Sequence, residues 1–391
     1  MNQEIISAQN FKIEGVILKM ANYSDLDIKP IINAAGTYTR YGGSLVDREV
    51  IAAMEQAAGT FVDIDRLLKK SGQYIAELLD VEAALVTSGA AAGIVLASAA
   101  CMAGKDKQLM ASLPDTEGIK NEFIIMKCHR NPYDRSVKLT GAEFVEIGDA
   151  IETSLWELQG AVGENTAGVI YSIQSSMLEA SLPLKQVIEA AHEKELPVIV
   201  DAAAEIPPAE NLTKFTELGA DLVLFSGGKE LRGPQSSGLI TGRKNLIEAC
   251  RLNGFPHHTV GRPMKLDKET IMGFVRALEL YLKEDHNQRA KRWTQQVEYM
   301  VGELEKISVV TARKGFPSQP LVQPPSVPRV YVNFKSKELD KEKAQEKLSV
   351  GEPRIVVVTD RNSLILNPHM LQEGEEKIVI KKLKRIIAEY S

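Results

Sequence analysis

The sequence predicts an α/β protein with a large domain built on a mostly parallel seven-stranded sheet, followed by a smaller C-terminal α+β domain. Three observations predict it. Between about residues 76 and 245, short and nearly unbroken apolar runs alternate with amphipathic helical stretches, the pattern of strands buried on both faces. After about residue 260 that beat gives way to two long amphipathic stretches and then to short strand-like runs. The chain has 391 residues, more than one hydrophobic core comfortably serves.

The elements follow in order. "IAELLDVEAALVTSG" reads as a helix running into a strand, and the Ala-rich stretch 90–103 as a buried helix. "EFIIMKC" and "EFVEIG" read as strands, "SLWELQGAV" as a helix, "AGVIYSI" as a strand and "PLKQVIEAAHEKE" as a helix. "LPVIVDAAAEIPP" holds a strand, "LTKFTELGA" a helix, and "DLVLFSGG" and "SGLITG" two more strands. Beyond them, "DKETIMGFVRALELYLKE" and "RAKRWTQQVEYMVGELEKI" have the spacing of long surface helices. "QPPSVPRVYVNF", "RIVVVT" and "SLILNP" are strand-like, "GEEKIVIKKLKRIIAEY" is a closing helix, and the Pro-rich stretch 317–328 is an ordered loop. The charge runs "KSKELDKEK" and "KKLKR" read as solvated helix faces. The predicted limits are an N-terminal arm over 1–30, the large domain over 31–265, connecting helices over 266–300 and the small domain over 301–391.

Composition narrows the function. The formal net charge is −5, which argues against binding driven by phosphate neutralisation and so makes tRNA an unexpected partner. Three cysteines, Cys101, Cys128 and Cys250, form no CxxC pair, as expected of a cytoplasmic chain without a disulfide frame. The histidines show no metal-binding spacing, so no metal site is expected. The N-terminus lacks a basic start followed by an apolar core, and no run approaches a membrane span.

In such sheets ligands sit outside the carboxyl ends of the strands, and three features fall there. Lys229 lies in "FSGGKELRGPQSSG", just past a strand and among small residues. Asp201 ends the run "PVIV"; it reads either as a cap or as a partner for a cation. "TSGAAAGI" places Ser88 and Gly89 before Ala90 at a helix start, where bare amides and the helix dipole favour an anion; alone it also reads as a tightly packed helix. Together the three meet the needs of pyridoxal 5'-phosphate: a lysine for the aldehyde, a carboxylate for the ring nitrogen and an anion site for the phosphate.

The segments "INAAGTYTRYGGSLVD", "ALVTSGAAAGI", "VIVDAAAEIPP" and "FSGGKELRGPQSSGLITG" closely resemble the selenocysteine synthase-like pyridoxal-phosphate enzymes. That group includes L-seryl-tRNA(Sec) selenium transferase and D-glucosaminate-6-phosphate ammonia-lyase. The resemblance covers roughly residues 28–285 well and the C-terminal part loosely. It implies the aspartate-aminotransferase-like fold (fold type I), Lys229 as the Schiff-base lysine, Asp201 as partner of the ring nitrogen, and a phosphate held by Ser88, Gly89 and Ala90 with help from Ser226. It also implies a homodimer or larger ring. Two departures stand out. Only about 25 residues precede the shared core, where the selenium transferase carries a further tRNA-binding domain. The loop of that enzyme usually reads SGDK, whereas Gly228 precedes Lys229 here.

Other residues are expected around the cofactor and substrate. His129, at the end of "FIIMKC", is placed for ring stacking; a surface position, with Tyr133 stacking or neither, is the alternative. Ala203 is small enough to lie under the ring. Gln174 suits either the phenolic oxygen or a turn. Arg354 is placed to pair with a substrate carboxylate; Arg40, Arg262 and Lys265 are placed to meet an anionic substrate; Arg232 serves the same end or orders the lysine loop. The expected reaction is α,β-elimination with release of ammonia from a sugar-derived 2-amino-3-hydroxy acid, with or without a phosphate. The alternatives are a selenium transferase, an aminotransferase or racemase on the same scaffold, and a binding protein that has lost catalysis.

Overall fold

The computed structural model describes residues 11–13, 16–18, 22–175, 178–317, 324–336 and 338–390. Half of the Pro-rich stretch 317–328 and half of the N-terminal arm 1–30 therefore lie outside the described residues. The chain forms two units.

The larger unit spans residues 36–297 and the described part of 314–329. Its sheet has seven strands: β1 (Ala83–Thr87), β2 (Glu122–Met126), β3 (Glu143–Ile147), β4 (Thr166–Ser172), β5 (Val198–Asp201), β6 (Leu222–Ser226) and β7 (Gly238–Gly242). The spatial order is β1-β7-β6-β5-β4-β2-β3. Only β7 runs antiparallel, to both β1 and β6; the other pairs are parallel. All seven strands coincide with the runs read from the sequence.

Burial explains why the runs are unbroken. β4 is buried at every residue, and Phe123, Ile199, Leu222 and Phe225 are at most 1% exposed. Each such side chain contributes about 1.5–3 kcal/mol. The helix Ala90–Ala103 is apolar on nearly all sides because it packs over the middle of the sheet; a Cβ on its Gly93 would lie 2.7 Å from Leu224 Cδ2. Its amphipathic neighbour Ile64–Leu79 approaches β1 through Gly72, where a Cβ would lie 2.2 Å from the Ala84 carbonyl oxygen. The helix Lys268–Lys283 packs on Arg48–Ala58, so it is part of this unit's core.

The smaller unit comprises the described residues within 1–35, 298–313 and 330–391. Val310–Gly315, Arg329–Phe334, Leu364–Leu366 and Val358–Thr359 form a four-stranded sheet. Helices Lys341–Ser349 and Glu375–Ala388 accompany it. Two details depart from the sequence reading. The single strand expected in "RIVVVT" is two: Arg354–Val356 pairs in parallel with Ile31–Asn33, and the chain then passes through buried Val357 to the other sheet. The strand Val310–Gly315 was not expected; it buries only Val310 and Ala312 on one face, too short an alternation to stand out.

Candidate active site

The lysine loop joins two adjacent antiparallel strands, β6 and β7, and is built around close backbone approaches. The Gly227 amide donates to the Ser237 carbonyl at 2.8 Å, and the Gly233 amide to the Gly227 carbonyl at 2.9 Å. A Cβ on Gly227 would lie 2.1 Å from Ser237 Oγ. On Gly228 it would lie 2.7 Å from Gln235 Cα and 2.8 Å from the Gln235 carbonyl oxygen. Position 228 is thus glycine because the backbone of Gln235 occupies the space a side chain needs. Ser44 Oγ donates to the Gly228 carbonyl at 3.0 Å.

Past the lysine, a buried ion network fixes the loop. Glu230, 1% exposed, pairs with Arg289 at 3.2 Å. Arg289 also meets Glu284 at 3.0 Å, and Glu284 meets Arg232 at 2.5 Å. Arg232 has φ +53°, and its amide donates to the Lys229 carbonyl at 3.1 Å. This places Arg232 as an ordering group for the loop, one of its two expected roles.

Asp201 is the last residue of β5, two strands from β7. Its Oδ1 accepts the Ala203 amide at 3.0 Å, and the Ser226 amide donates to the Ala203 carbonyl at 3.3 Å. Asp201, Ala203, Ser226 and the base of the lysine loop are therefore brought to one end of the sheet. Burial pushes the Asp201 carboxyl up, while the Ala203 amide and the Lys229 charge pull it back. Burial pushes Lys229 below the usual lysine range, while Asp201 and Glu205 push it up. Burial is the larger influence on both groups, and each is also felt by the other.

Glu205 was not singled out from the sequence. It is 4% exposed and is pushed up to about 7, chiefly by burial and next by Asp201, against the pull of Lys229. The signal was an acidic residue inside the otherwise apolar "DAAAEIPP".

The candidate anion site lies one strand away from the lysine loop, since Gly238 of β7 pairs with Thr87 of β1 on one side and Ser226 of β6 on the other. Ser88 and Gly89 separate β1 from the helix Ala90–Ala103; Gly89 has φ +110° and caps the helix without a side-chain hydrogen bond. Gly238 of β7 pairs with Thr87, and a Cβ there would lie 2.6 Å from the Gly89 carbonyl carbon and 2.8 Å from the Ala90 nitrogen. Gly238 is a second residue the sequence reading passed over. Ser88 Oγ donates to the Met264 carbonyl at 3.3 Å, which ties the segment carrying Arg262 and Lys265 to this loop. The Arg262 guanidinium lies 5.1 Å from the Phe255 ring centroid.

The remaining residues are placed as follows. His129 is 0% exposed. Its Nδ1 accepts the Ser172 amide at 3.0 Å, its Nε2 lies 2.8 Å from Ser181 Oγ, and its ring meets Tyr171 edge-on. The ring therefore presents no exposed face, and Tyr133 is exposed. Gln174 is half-buried in a short helical turn at the end of β4. Arg40 is exposed on the turn Thr39–Tyr41. Arg354 lies in the smaller unit, exposed, with Nε donating to the Ser349 carbonyl at 3.0 Å.

A carboxylate and an amine at the ends of neighbouring strands, with a bare helix terminus on the same seven-stranded sheet, define a pyridoxal-phosphate enzyme of fold type I. The residues fit the group: small residues leave room for a phosphate at the helix start, Asp201 suits a protonated ring nitrogen, and Lys229 suits an aldehyde. Residues 31–372 match the family model described as SelA, L-seryl-tRNA selenium transferase, and the chain belongs to that family. It is 37% identical over 264 residues to D-glucosaminate-6-phosphate ammonia lyase of Salmonella typhimurium, covering 66% of this chain and 69% of that one. It is 34% identical over 298 residues to 5'-C-glycyluridine monooxygenase-decarboxylase of Streptomyces sp, covering 74% and 73%. A solved structure of D-glucosaminate-6-phosphate ammonia-lyase matches with a TM-score of 0.83 and 31% identity, over 94% of this chain and 98% of that one.

Proposed function

We propose that this chain is a pyridoxal-phosphate lyase that eliminates across the Cα–Cβ bond of a sugar-derived 2-amino-3-hydroxy acid, such as D-glucosaminate 6-phosphate, and releases ammonia. The observation that carries it is that Asp201, at the end of β5, and the Lys229 loop, after β6, meet at one end of the sheet that also carries the Gly89 helix start, in a chain whose fold follows that of an ammonia-lyase over 94% of its length.

When bound, the cofactor supplies an aldehyde for amines and a protonated ring that accepts electrons from a broken Cα–H bond. The protein supplies the rest. Ser88, Gly89 and Ala90 hold the phosphate. Asp201 keeps the proton on the ring nitrogen. Lys229, held below the usual lysine range by burial, takes the Cα proton as general base. The resulting ammonium hands a proton to the departing β-hydroxyl, which leaves as water. The released enamine then takes up water to give a 2-keto acid and ammonia. Arg40, Arg262 and Lys265 are candidates for the acidic groups of the substrate, and Arg354 for its carboxylate.

A second reading is favoured by the likeness to the glycyluridine enzyme: an oxidative decarboxylation on the same site. Both relatives' names describe an amino acid carried on a sugar skeleton, so that substrate class supports either reading. The test is a panel of D- and L-hydroxyamino acids and amino-sugar acids with added cofactor. Equimolar ammonia and 2-keto acid, without oxygen uptake, supports the lyase. Oxygen uptake with release of CO2 supports the second reading, and tight salt-sensitive binding of seryl-tRNA overturns both.

We also infer a homodimer or larger assembly, supported by Leu45, Ile51 and Phe61, which stand 69%, 49% and 102% exposed on the larger unit. A cytoplasmic setting is supported by the three free cysteines. No described helix is long and apolar enough to cross a membrane.

A further inference from the structure

Gln235 closes the run "SGGKELRGPQ", and its side chain turns back onto the peptide bond just before Lys229. Its amide end faces two acceptors, the carbonyls of Gly42 and Gly228, so the nitrogen is the atom that meets them, donating at 2.8 Å and 3.3 Å. Ser44 Oγ donates to the same Gly228 carbonyl at 3.0 Å. Gly228 is buried, so its carbonyl depends on these two donors rather than on water. Gly43, at φ +69°, lies against the same contact: a Cβ there would run into the Gln235 amide and the Gly228 carbonyl oxygen. On the other side of the lysine, the Lys229 carbonyl accepts the Arg232 amide at 3.1 Å.

A peptide unit is planar. Holding the Gly228 carbonyl fixes the plane that enters Lys229, and holding the Lys229 carbonyl fixes the plane that leaves it. Between two fixed planes the Cα–Cβ bond of the lysine has one direction. We propose that Gln235, together with Ser44, is a positioning residue that fixes the direction in which Lys229 presents its amine to the aldehyde of the cofactor. Gln235 touches neither the amine nor the reacting atoms; it acts through the Gly228 carbonyl. The same amide holds Gly42, next to the turn Thr39–Tyr41 that carries Arg40, so one side chain ties that turn to the lysine loop. The inference deepens the proposed function of this site and rests on it.

The test compares two aldehydes on the full chain, stripped of any cofactor. Pyridoxal 5'-phosphate is anchored by its phosphate and ring, so its capture depends on where the amine points. Formaldehyde is not anchored, so its capture depends only on access. Each condenses with the Lys229 amine with loss of water, and a borohydride or borane reduces the C=N bond to a stable C–N bond that mass spectrometry counts. In Gln235→Ala, trapping of pyridoxal 5'-phosphate on Lys229 slows by on the order of tenfold, while labelling by formaldehyde stays within about twofold of wild type. Unchanged cofactor trapping overturns the proposal. So does any change that both aldehydes share, since that reports access to the loop rather than direction. If Gln235→Ala does not fold, Ser44→Ala decides: slower cofactor trapping, restored in Ser44→Thr, is expected, and trapping equal to wild type overturns the proposal. A wild type that traps formaldehyde but no cofactor on Lys229 overturns the proposed function and this inference with it, whereas failure of the inference alone leaves wild-type trapping intact.

Discussion

His129 sets up a pH dependence of stability that can be worked through from its surroundings. Its Nδ1 accepts the Ser172 amide, so the proton sits on Nε2, which donates to Ser181 Oγ; the ring is neutral and wholly buried. Burial lowers it from 6.5 to about 4. The unfolded chain therefore binds a proton between these values that the folded chain refuses, and stability falls as pH falls from about 6.5 to about 4. At about 1.4 kcal/mol per pH unit, the loss is about 3 kcal/mol. The assay is urea unfolding of wild type and His129→Asn from pH 7.5 to 4. Asparagine keeps an acceptor for the Ser172 amide and removes the titration. At pH 7 the variant is weaker by about 1–3 kcal/mol, for the lost donor and the smaller ring. By pH 4 that gap shrinks by about 3 kcal/mol, because only wild type carries the cost of charging the ring. Parallel stability curves for the two proteins would refute the reasoning.

Two further outcomes follow. Gly228→Asp, which makes the loop SGDK, drives a Cβ into the Gln235 backbone at 2.7 Å and costs about 1–3 kcal/mol; the melting temperature falls, and an unchanged value would show that the loop shifts freely. Asp201→Asn leaves Lys229 able to capture the cofactor but removes the group that keeps its ring protonated, so ammonia release slows by about 10²-fold or more, measured as kcat with trapped cofactor as the control.

The seven strands of the large sheet were legible because each is buried on both faces and so reads as an unbroken apolar run, as in "VIVD" and "LVLFS". The small unit was harder to read: Val310–Gly315 buries two residues, and "RIVVVT" serves two sheets in turn. Lys229, Asp201 and the Ser88–Ala90 loop stood out in the sequence because each pairs a chemical group with a strand end or helix start. The Glu230–Arg289–Glu284–Arg232 network was not, since its members lie up to 59 residues apart and only the folded chain joins them. For His129, nothing local in the sequence reveals that Tyr171, Ser172 and Ser181 lie around the ring. Gly228 also changed meaning; what reads as a missing acid is a steric requirement of Gln235.

The central claim is that Lys229 is the amine that takes the cofactor. It is tested most directly by adding pyridoxal 5'-phosphate to the purified chain, reducing with borohydride and mapping the modified peptide. The prediction is a single stoichiometric adduct on Lys229, with an absorbance band that is absent in Lys229→Ala. No adduct, or one spread over surface lysines and retained in Lys229→Ala, would contradict it.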